Sequence, residues 1–197
     1  MSRSTAIAVF LFQGVEELDF VGPWEVLRSW ERLEPERVHV FTVAADDGVI
    51  ECAKGLRVLP DHTWGSAPEA DVLLYPGGVG TREHLGDERI RSWLHAAAGR
   101  GAVMASVCTG SLVFADAGLL DGRPATTHWA SLDLLGSLGS RIEVRPDDRF
   151  VDTGDVVTAS GVSAGIDMAL HLVRRLGSEE TARRVRRYIQ YDPAPPV

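Results

Sequence analysis

Short apolar runs in this chain alternate with segments whose apolar residues recur at helical spacing. Continuous apolar runs are typical of strands that are covered on both faces. We therefore predict strands at 6–12, 38–43, 71–75, 101–107 and 156–159. Apolar positions three and four residues apart predict helices at 23–33, 90–98, 110–120, 132–135, 163–176 and 178–189.

Local residue types refine this outline. The polar stretch 13–22 predicts a turn, and Pro23 predicts the first position of the next helix, where a missing N–H costs little. A Pro-Asp-Asp interruption within 142–151 predicts a hairpin. Ser163 is expected to cap the helix that follows it.

The alternation of strands and helices predicts the fold class. It indicates an α/β fold in which a doubly wound, mostly parallel sheet carries helices on both faces. No interior linker or internal repeat interrupts the pattern, so we predict a single domain over residues 1–197.

Composition and charge narrow the function classes. The 197 residues are 45% hydrophobic and 24% charged, which allows a sizeable core. Because 20 basic and 28 acidic residues give a net charge of −8, a nucleic-acid partner is not expected. The arginine-rich run 183–187 follows Glu179 and Glu180, an order that favours a solvated helix face.

Cysteine use and the N-terminus indicate the compartment. Two cysteines make no disulfide framework, no CxxC pattern indicates zinc, and Cys52 is expected to be a strand residue without catalytic consequence. The apolar run at 6–12 is too short to span a membrane and too short for most signal peptides. We therefore expect a cytoplasmic protein with no membrane attachment, in which a thiol stays reduced.

Cys108 lies where the predicted strand 101–107 meets the predicted helix 110–120. A side chain at such an elbow projects from the carboxyl edge of the sheet, where open α/β sheets bind ligands. The ordinary pKa of a cysteine thiol is about 8.5. The free N–H groups at the start of the following helix would lower it and favour the thiolate of Cys108. A lone cysteine is more often a buried structural residue, but this position favours a nucleophile.

Two other loops should reach the same edge of the sheet. Asp19 follows the first strand, Gly77 and Gly78 follow the strand 71–75, and Thr109 adjoins Cys108. Each has an ordinary explanation as a turn or helix-start residue. Together they supply a nucleophile, a carboxyl group for proton transfer and N–H groups that can approach developing charge, which predicts an active site.

His128 is a further candidate for binding substrate or an oxyanion, together with Gly77 and Gly78. It lies at the start of a predicted helix, twenty positions after Cys108. A thiolate–imidazole pair is the usual way to activate a cysteine. A histidine that only bonds the backbone explains the position equally well, so both interpretations stay open.

The motifs that carry these residues resemble the ThiJ/PfpI superfamily along nearly the whole chain. Their combination is more specific than any one of them. They are LDFVGP at 18–23, PGG at 76–78, SVCTGS at 106–111, GLL at 118–120, ATTHW at 125–129, SGVSAGID at 160–167 and YDP at 191–193.

Within the superfamily the chain is most similar to the isonitrile hydratases. That resemblance implies a flavodoxin-like fold, a homodimer, and hydration of a small isonitrile, R–N≡C, to an N-substituted formamide without a metal or organic cofactor. It also implies that Cys108 is the nucleophile, Asp19 the acid–base carboxyl group and Thr109 the neighbouring hydroxyl. The backbone around Gly78 matches the loop that helps to line the pocket.

Other branches of the superfamily differ at two of these positions. Peptidase-like and amidotransferase-like members carry His directly after the nucleophile, where this chain has Thr109. Chaperone and glyoxalase-type members carry Glu in the first loop, where this chain has Asp19. The first difference argues against peptidase or glutaminase activity, and the shorter acid at position 19 fits the hydratase branch.

Two alternative functions stay open. The elbow also resembles the ligand-sensing domain of AraC-type transcription regulators. Because the chain ends at Val197 after a single arginine-rich helix, we expect no helix-turn-helix region. The second alternative is a carbonyl-stress or redox protein that acts through the thiol of Cys108.

Overall fold

Strands and helices alternate along residues 4–193, the part of the chain that the computed structural model describes. The first three and last four residues of the predicted 1–197 domain lie outside the described residues. The strands are β1 (Thr5–Leu11), β2 (Val38–Ala44), β3 (Ile50–Glu51), β4 (Arg57–Val58), β5 (His62–Thr63), β6 (Val72–Tyr75), β7 (Val103–Val107), β8 (Pro124–Ala125), β9 (Glu143–Val144), β10 (Phe150–Asp152) and β11 (Val156–Ala159). The helices are α1 (Glu17–Leu33), α2 (Thr81–His84), α3 (Glu88–Gly99), α4 (Gly110–Asp116), α5 (Leu132–Leu138), α6 (Ala164–Leu176) and α7 (Glu179–Tyr188), with a 3₁₀ helix at Trp129–Ser131.

The central sheet has seven strands in the order β10–β11–β7–β6–β1–β2–β5. Neighbouring strands are parallel except β10 and β11, which pair antiparallel. Helices α1, α6 and α7 pack together, and α4 packs against α2 and α5. The predicted α/β fold with a mostly parallel sheet is confirmed.

The direction in which strands are added reverses at β1. Strand β2 lies on one side of β1, and β6 lies on the other. In open α/β sheets, ligands bind beyond the carboxyl ends of the strands at such a point. The segments that follow β1, β6 and β7 meet there and form the site described below.

The sheet is buried where the sequence has its continuous apolar runs. Phe10, Phe41 and Tyr75 on the strands are among the largest fully buried side chains, as are Trp30 on α1 and Phe114 on α4. Within residues 4–193, no helix is long and apolar enough to cross a membrane.

Helix α1 begins earlier than the sequence predicts, which moves Asp19 from a loop into the first helical turn. The helix starts at Glu17 and contains Pro23. Acidic residues in the first turn favour this start because they interact with the positive end of the helix. Pro23 packs so closely on α6 that a Cβ added to Gly165 would lie 3.0 Å from its Cγ. This packing offsets the hydrogen bond that proline cannot donate.

The predicted hairpin within 142–151 is wrong. Strand β9 pairs in parallel with β8, whereas β10 pairs antiparallel with β11. The Pro-Asp-Asp segment therefore separates two strands that have different partners: β9 pairs with the earlier strand β8, and β10 forms a hairpin with the strand that follows it, β11. The helix after Cys108 also ends earlier, at Asp116, because Gly118 takes a φ of 73°. Ser163 makes no capping hydrogen bond, and its hydroxyl instead accepts one from Arg149.

Candidate active site

Cys108 occupies the turn between β7 and α4 with a φ of 55°, a conformation that residues other than glycine rarely adopt. Its N–H donates to the carbonyl oxygens of Ala159 and Ser160, each at 3.1 Å. Its own carbonyl accepts from the hydroxyls of Ser111 at 3.0 Å and Thr127 at 2.9 Å. These four contacts hold the strained backbone in place, so the sulfur has a defined position.

Asp19 is fully buried beside this turn. Its Oδ2 accepts a 2.9 Å hydrogen bond from the N–H of Gly77, while Oδ1 has no hydrogen-bond partner among residues 4–193. Burial raises the pKa of Asp19 to about 7, the nearby charge of Glu16 raises it further, and the Gly77 amide opposes the rise. Near neutral pH this carboxyl group can therefore both accept and donate a proton.

The thiol of Cys108 holds its proton more firmly than the sequence indicates. Burial raises its pKa to about 12, and the negative charge of Asp19 contributes to the rise. The backbone amides of Val162 and Thr109 act in the opposite direction. The amide at the start of α4 therefore acts in the direction that the sequence predicts, but burial outweighs it, and the balance favours the protonated thiol. A base must take the thiol proton before the sulfur can attack.

Gly77 and Gly78 form a loop in which a larger residue has no room. A Cβ on Gly77 would lie 2.6 Å from the backbone nitrogen of Thr109 and 2.7 Å from Oδ2 of Asp19. Gly78 has a φ of 130°, and its Cβ would lie 2.3 Å from the carbonyl oxygen of Gly14. The absence of side chains lets the loop approach both Asp19 and the Cys108 turn.

The hydroxyl of Thr109 ties this loop to the nucleophile turn. Its Oγ1 accepts from the N–H of Gly78 at 3.0 Å and lies 3.1 Å from the hydroxyl oxygen of Thr81. The hydroxyl of Thr81 donates its proton to the carbonyl of Gly78 at 2.7 Å. Thr109 and Thr81 therefore act on the position of the Gly77–Gly78 loop.

A cavity of about 460 Å³ opens in front of the sulfur. Of the predicted site residues, Cys108, Thr109, Gly78 and His128 line it. Asp19 and Gly77 do not line it. Asp19 is buried behind the cavity wall, where the N–H of Gly77 holds its carboxyl group near the sulfur. The other lining residues are Glu16, Val79, Arg82, Ala130, Ser131 and Val162.

His128 lies in the cavity wall and has a structural role as well. Its Nδ1 accepts a 3.2 Å hydrogen bond from the N–H of Ala130, so the neutral ring carries its proton on Nε2. A Cβ on Gly161 would lie 2.7 Å from Cδ2 of this ring. In the described chain no hydrogen bond joins the ring to Cys108, and the two therefore do not form a thiol–imidazole pair.

The sequence does not predict Glu16, Thr81 or Arg82 as site residues. It also does not predict that the backbone amide of Val162 contacts the sulfur of Cys108. Val162 takes a φ of 42°, which is rare for a β-branched residue, and this strain directs its amide toward the sulfur of Cys108. The SGVSAG segment was a visible signal, but its contact with Cys108 depends on the pairing of β11 with β7. Across the described residues, no group of three or more His, Cys, Asp and Glu side chains could hold a metal ion.

The chain is similar to several known proteins along most of its length. Residues 5–175 match the model of the DJ-1/PfpI family. The chain is 41% identical to an isonitrile hydratase of Pseudomonas putida over 96% of this chain and 80% of that protein. It is 28% identical to the HTH-type transcriptional regulator GbdR of Pseudomonas aeruginosa over 95% of this chain but only 51% of the regulator. A crystal structure of a ThiJ/PfpI family protein from Pseudomonas syringae superimposes with a TM-score of 0.88 at 30% identity, covering 99% of this chain and 78% of that one.

Proposed function

The chain belongs to the DJ-1/PfpI family, and from that premise we propose that it is a hydro-lyase that hydrates an isonitrile to an N-substituted formamide. The observation that carries the proposal is the buried pair of Asp19 and Cys108 behind an open cavity. Similarity to an isonitrile hydratase across most of both chains favours this reaction within the family. On the same resemblance we propose a cytoplasmic homodimer.

In the first step, Asp19 acts as a base. Its pKa of about 7 leaves a useful fraction ionised at neutral pH, whereas the thiol of Cys108 is protonated. The carboxylate takes the thiol proton as the sulfur attacks the terminal isonitrile carbon. The same proton then passes from Asp19 to that carbon, which gives a covalent thioimidate, Cys–S–CH=N–R.

In the second step, Asp19 activates water. The water adds to the thioimidate carbon, and the nitrogen gains a proton, which forms Cys–S–CH(OH)–NH–R. Collapse of this adduct breaks the carbon–sulfur bond, returns the proton to the thiol and releases the formamide, R–NH–CHO. The overall change is the addition of one water molecule, and the scheme uses only side chains of this protein and no metal or organic cofactor.

The surrounding groups support both steps by position. The amides of Thr109 and Val162 lie near the sulfur and stabilise negative charge on it. The Thr109 hydroxyl holds the Gly77–Gly78 loop, and Gly77 in turn holds Oδ2 of Asp19. The free Oδ1 is then the oxygen that exchanges protons with the thiol, the substrate carbon and water.

Two alternative functions use the same site. The similarity to a transcriptional regulator over half of its length favours a ligand-sensing domain that binds at the same cavity without turnover. A carbonyl-stress protein would use the same thiol on a dicarbonyl compound. Neither alternative requires Cys108 to form a thioimidate.

Turnover of a simple aliphatic isonitrile separates these functions. We expect wild-type protein to form the N-alkyl formamide, and Cys108→Ala to form none above the uncatalysed rate, as measured by absorbance and by mass spectrometry of the product. Cys108→Ser, which keeps the size of the side chain, serves as the control for folding. Full turnover by Cys108→Ala, or turnover of methylglyoxal without turnover of the isonitrile, would sink the proposal.

A further inference from the structure

Arg82 places an unpaired positive charge in the wall of the active-site cavity. It lies on α2, next to Thr81, and its guanidinium donates to Oγ1 of Thr81 at 3.0 Å and to Oγ of Ser131 at 3.5 Å. Within the part of the chain that the structure describes, no carboxylate forms an ion pair with it. Both of these contacts are neutral hydroxyl groups and the residue is exposed, so its charge is accessible to a ligand that enters from solvent.

Among the described residues, one carboxylate lines the same cavity, and its charge is already paired. Glu16 forms an ion pair with the ammonium group of Lys54 at the edge of the site. The accepting Nδ1 of His128 leaves Nε2–H as a donor in the neutral ring. Among the described residues that line the cavity, Arg82 therefore carries a charge that no other lining side chain pairs with, and His128 adds a hydrogen-bond donor.

The rest of the wall is apolar. Val79, Ala130 and Val162 line the cavity with the sulfur of Cys108. A ligand that matches this cavity has a short apolar part and, at the end that faces Arg82, a group that accepts hydrogen bonds. A guanidinium offers two parallel N–H groups that match the two oxygens of a carboxylate. A single arginine with two hydroxyls suits a monoanion better than a more highly charged group.

We propose that the substrate is an isonitrile that carries a carboxylate, and that Arg82 binds this carboxylate with help from Ser131. This inference rests on the proposed hydration, and it names the substrate class of the same site. Hydration of an isocyano carboxylate, ⁻OOC–R–N≡C, adds one water and gives an N-formyl amino carboxylate, ⁻OOC–R–NH–CHO, with the negative charge unchanged. Arg82 is a specificity residue in this scheme and takes no part in bond making.

The experiment measures kcat/KM for short isocyano carboxylates of increasing chain length, each paired with its methyl ester. The ratio of acid to ester defines the carboxylate preference and cancels differences in general activity between variants. Arg82→Gln should lower the preference about fivefold, the effect of losing roughly 1 kcal/mol from a partly exposed ion pair. Arg82→Lys, which keeps the charge, should lower it less.

Arg184→Gln on α7 is the matched control. Arg184 is exposed and forms no ion pair with another described residue, and it does not line this cavity. Its loss changes the net charge by the same amount, and the preference should stay at the wild-type value. High salt should reduce the preference of wild type and leave that of Arg82→Gln unchanged.

The outcomes separate this inference from the proposed function. If wild type hydrates the esters through Cys108 but Arg82→Gln keeps the wild-type preference at every chain length, only the carboxylate inference fails. An equal fall in Arg184→Gln overturns it as well, because long-range charge would then explain the effect. If neither acids nor esters are hydrated, the proposed function itself fails.

Discussion

The N–H of Gly77 donates a 2.9 Å hydrogen bond to Oδ2 of Asp19, while Oδ1 of the same carboxyl group has no hydrogen-bond partner within residues 4–193. One oxygen is therefore fixed by the backbone and the other is available for proton exchange. Because the group is fully buried, its charged form is disfavoured. Taking the proton of the neighbouring thiol neutralises the carboxylate. This asymmetry determines how the site should respond to pH and to substitution.

We expect kcat/KM for an isonitrile to rise with pH through about 7 and then to level off. The base must be ionised to take the proton of Cys108, and the pKa of Asp19 is raised to about 7. Asp19→Asn should lose this rise and fall roughly 10²–10⁴-fold in rate, as steady-state kinetics across pH would record. If kcat/KM of Asp19→Asn still rose with pH at the same midpoint as wild type, the titration would belong to another group.

The contribution of Asp19 to the stability of the protein should fall as pH rises from about 4 to about 7. The pKa of Asp19 is raised in the folded state, so its protonated form stabilises the fold below the unfolded value of 3.8, and this contribution is lost as pH rises through about 7. The total is of the order of 4 kcal/mol. Urea unfolding at several pH values should show Asp19→Asn gaining stability relative to wild type toward pH 7, and parallel curves for the two proteins would contradict the assignment.

Alkylation of Cys108 by iodoacetamide should be slow at neutral pH and should accelerate about tenfold per pH unit into the alkaline range. Only the thiolate reacts, and burial raises the pKa of this thiol to about 12. Asp19→Asn removes the negative charge and should speed alkylation at pH 9. Peptide mass spectrometry separates Cys108 from Cys52, whose pKa burial raises to about 11. A plateau of the rate near neutral pH would show a thiolate at rest instead.

Gly77→Ala should lower kcat about 10²-fold. The added methyl group would lie 2.6 Å from the backbone nitrogen of Thr109 and 2.7 Å from Oδ2 of Asp19, so both catalytic groups must shift. Gly99→Ala at the end of α3 is the matched control, because a Cβ there meets nothing within 4 Å. Comparable kinetics for the two variants would mean that the loop can relax without moving Asp19.

Thr109→Val should destabilise the protein by about 1–3 kcal/mol and lower activity, whereas Thr109→Ser should be close to wild type. The Oγ1 of Thr109 accepts the N–H of Gly78 at 3.0 Å, and valine leaves that donor without a partner. Thermal unfolding and kinetics of both variants measure the effect. A serine variant as weak as the valine variant would show that the methyl group matters and the hydroxyl does not.

The sequence predicted the features that depend on residues close together along the chain. Continuous apolar runs indicated the strands of the sheet, and helical spacing indicated most of the helices. The change from apolar strand to small residues placed Cys108 at the turn between β7 and α4. These predictions succeed because backbone geometry and the alternation of buried positions are set by neighbouring residues.

Tertiary structure decided the features that depend on contacts between residues distant in sequence. Asp19 lies in the first turn of α1, and its bond to Gly77 joins residues 58 positions apart. The pairing of β8 with β9 replaced a hairpin that the turn residues favoured. Glu16 and Arg82 reach the cavity only through the folded positions of α1 and α2. The raised pKa values of Asp19 and Cys108 have the same origin, since burial and contact with distant groups exist only once the sheet and its helices have assembled.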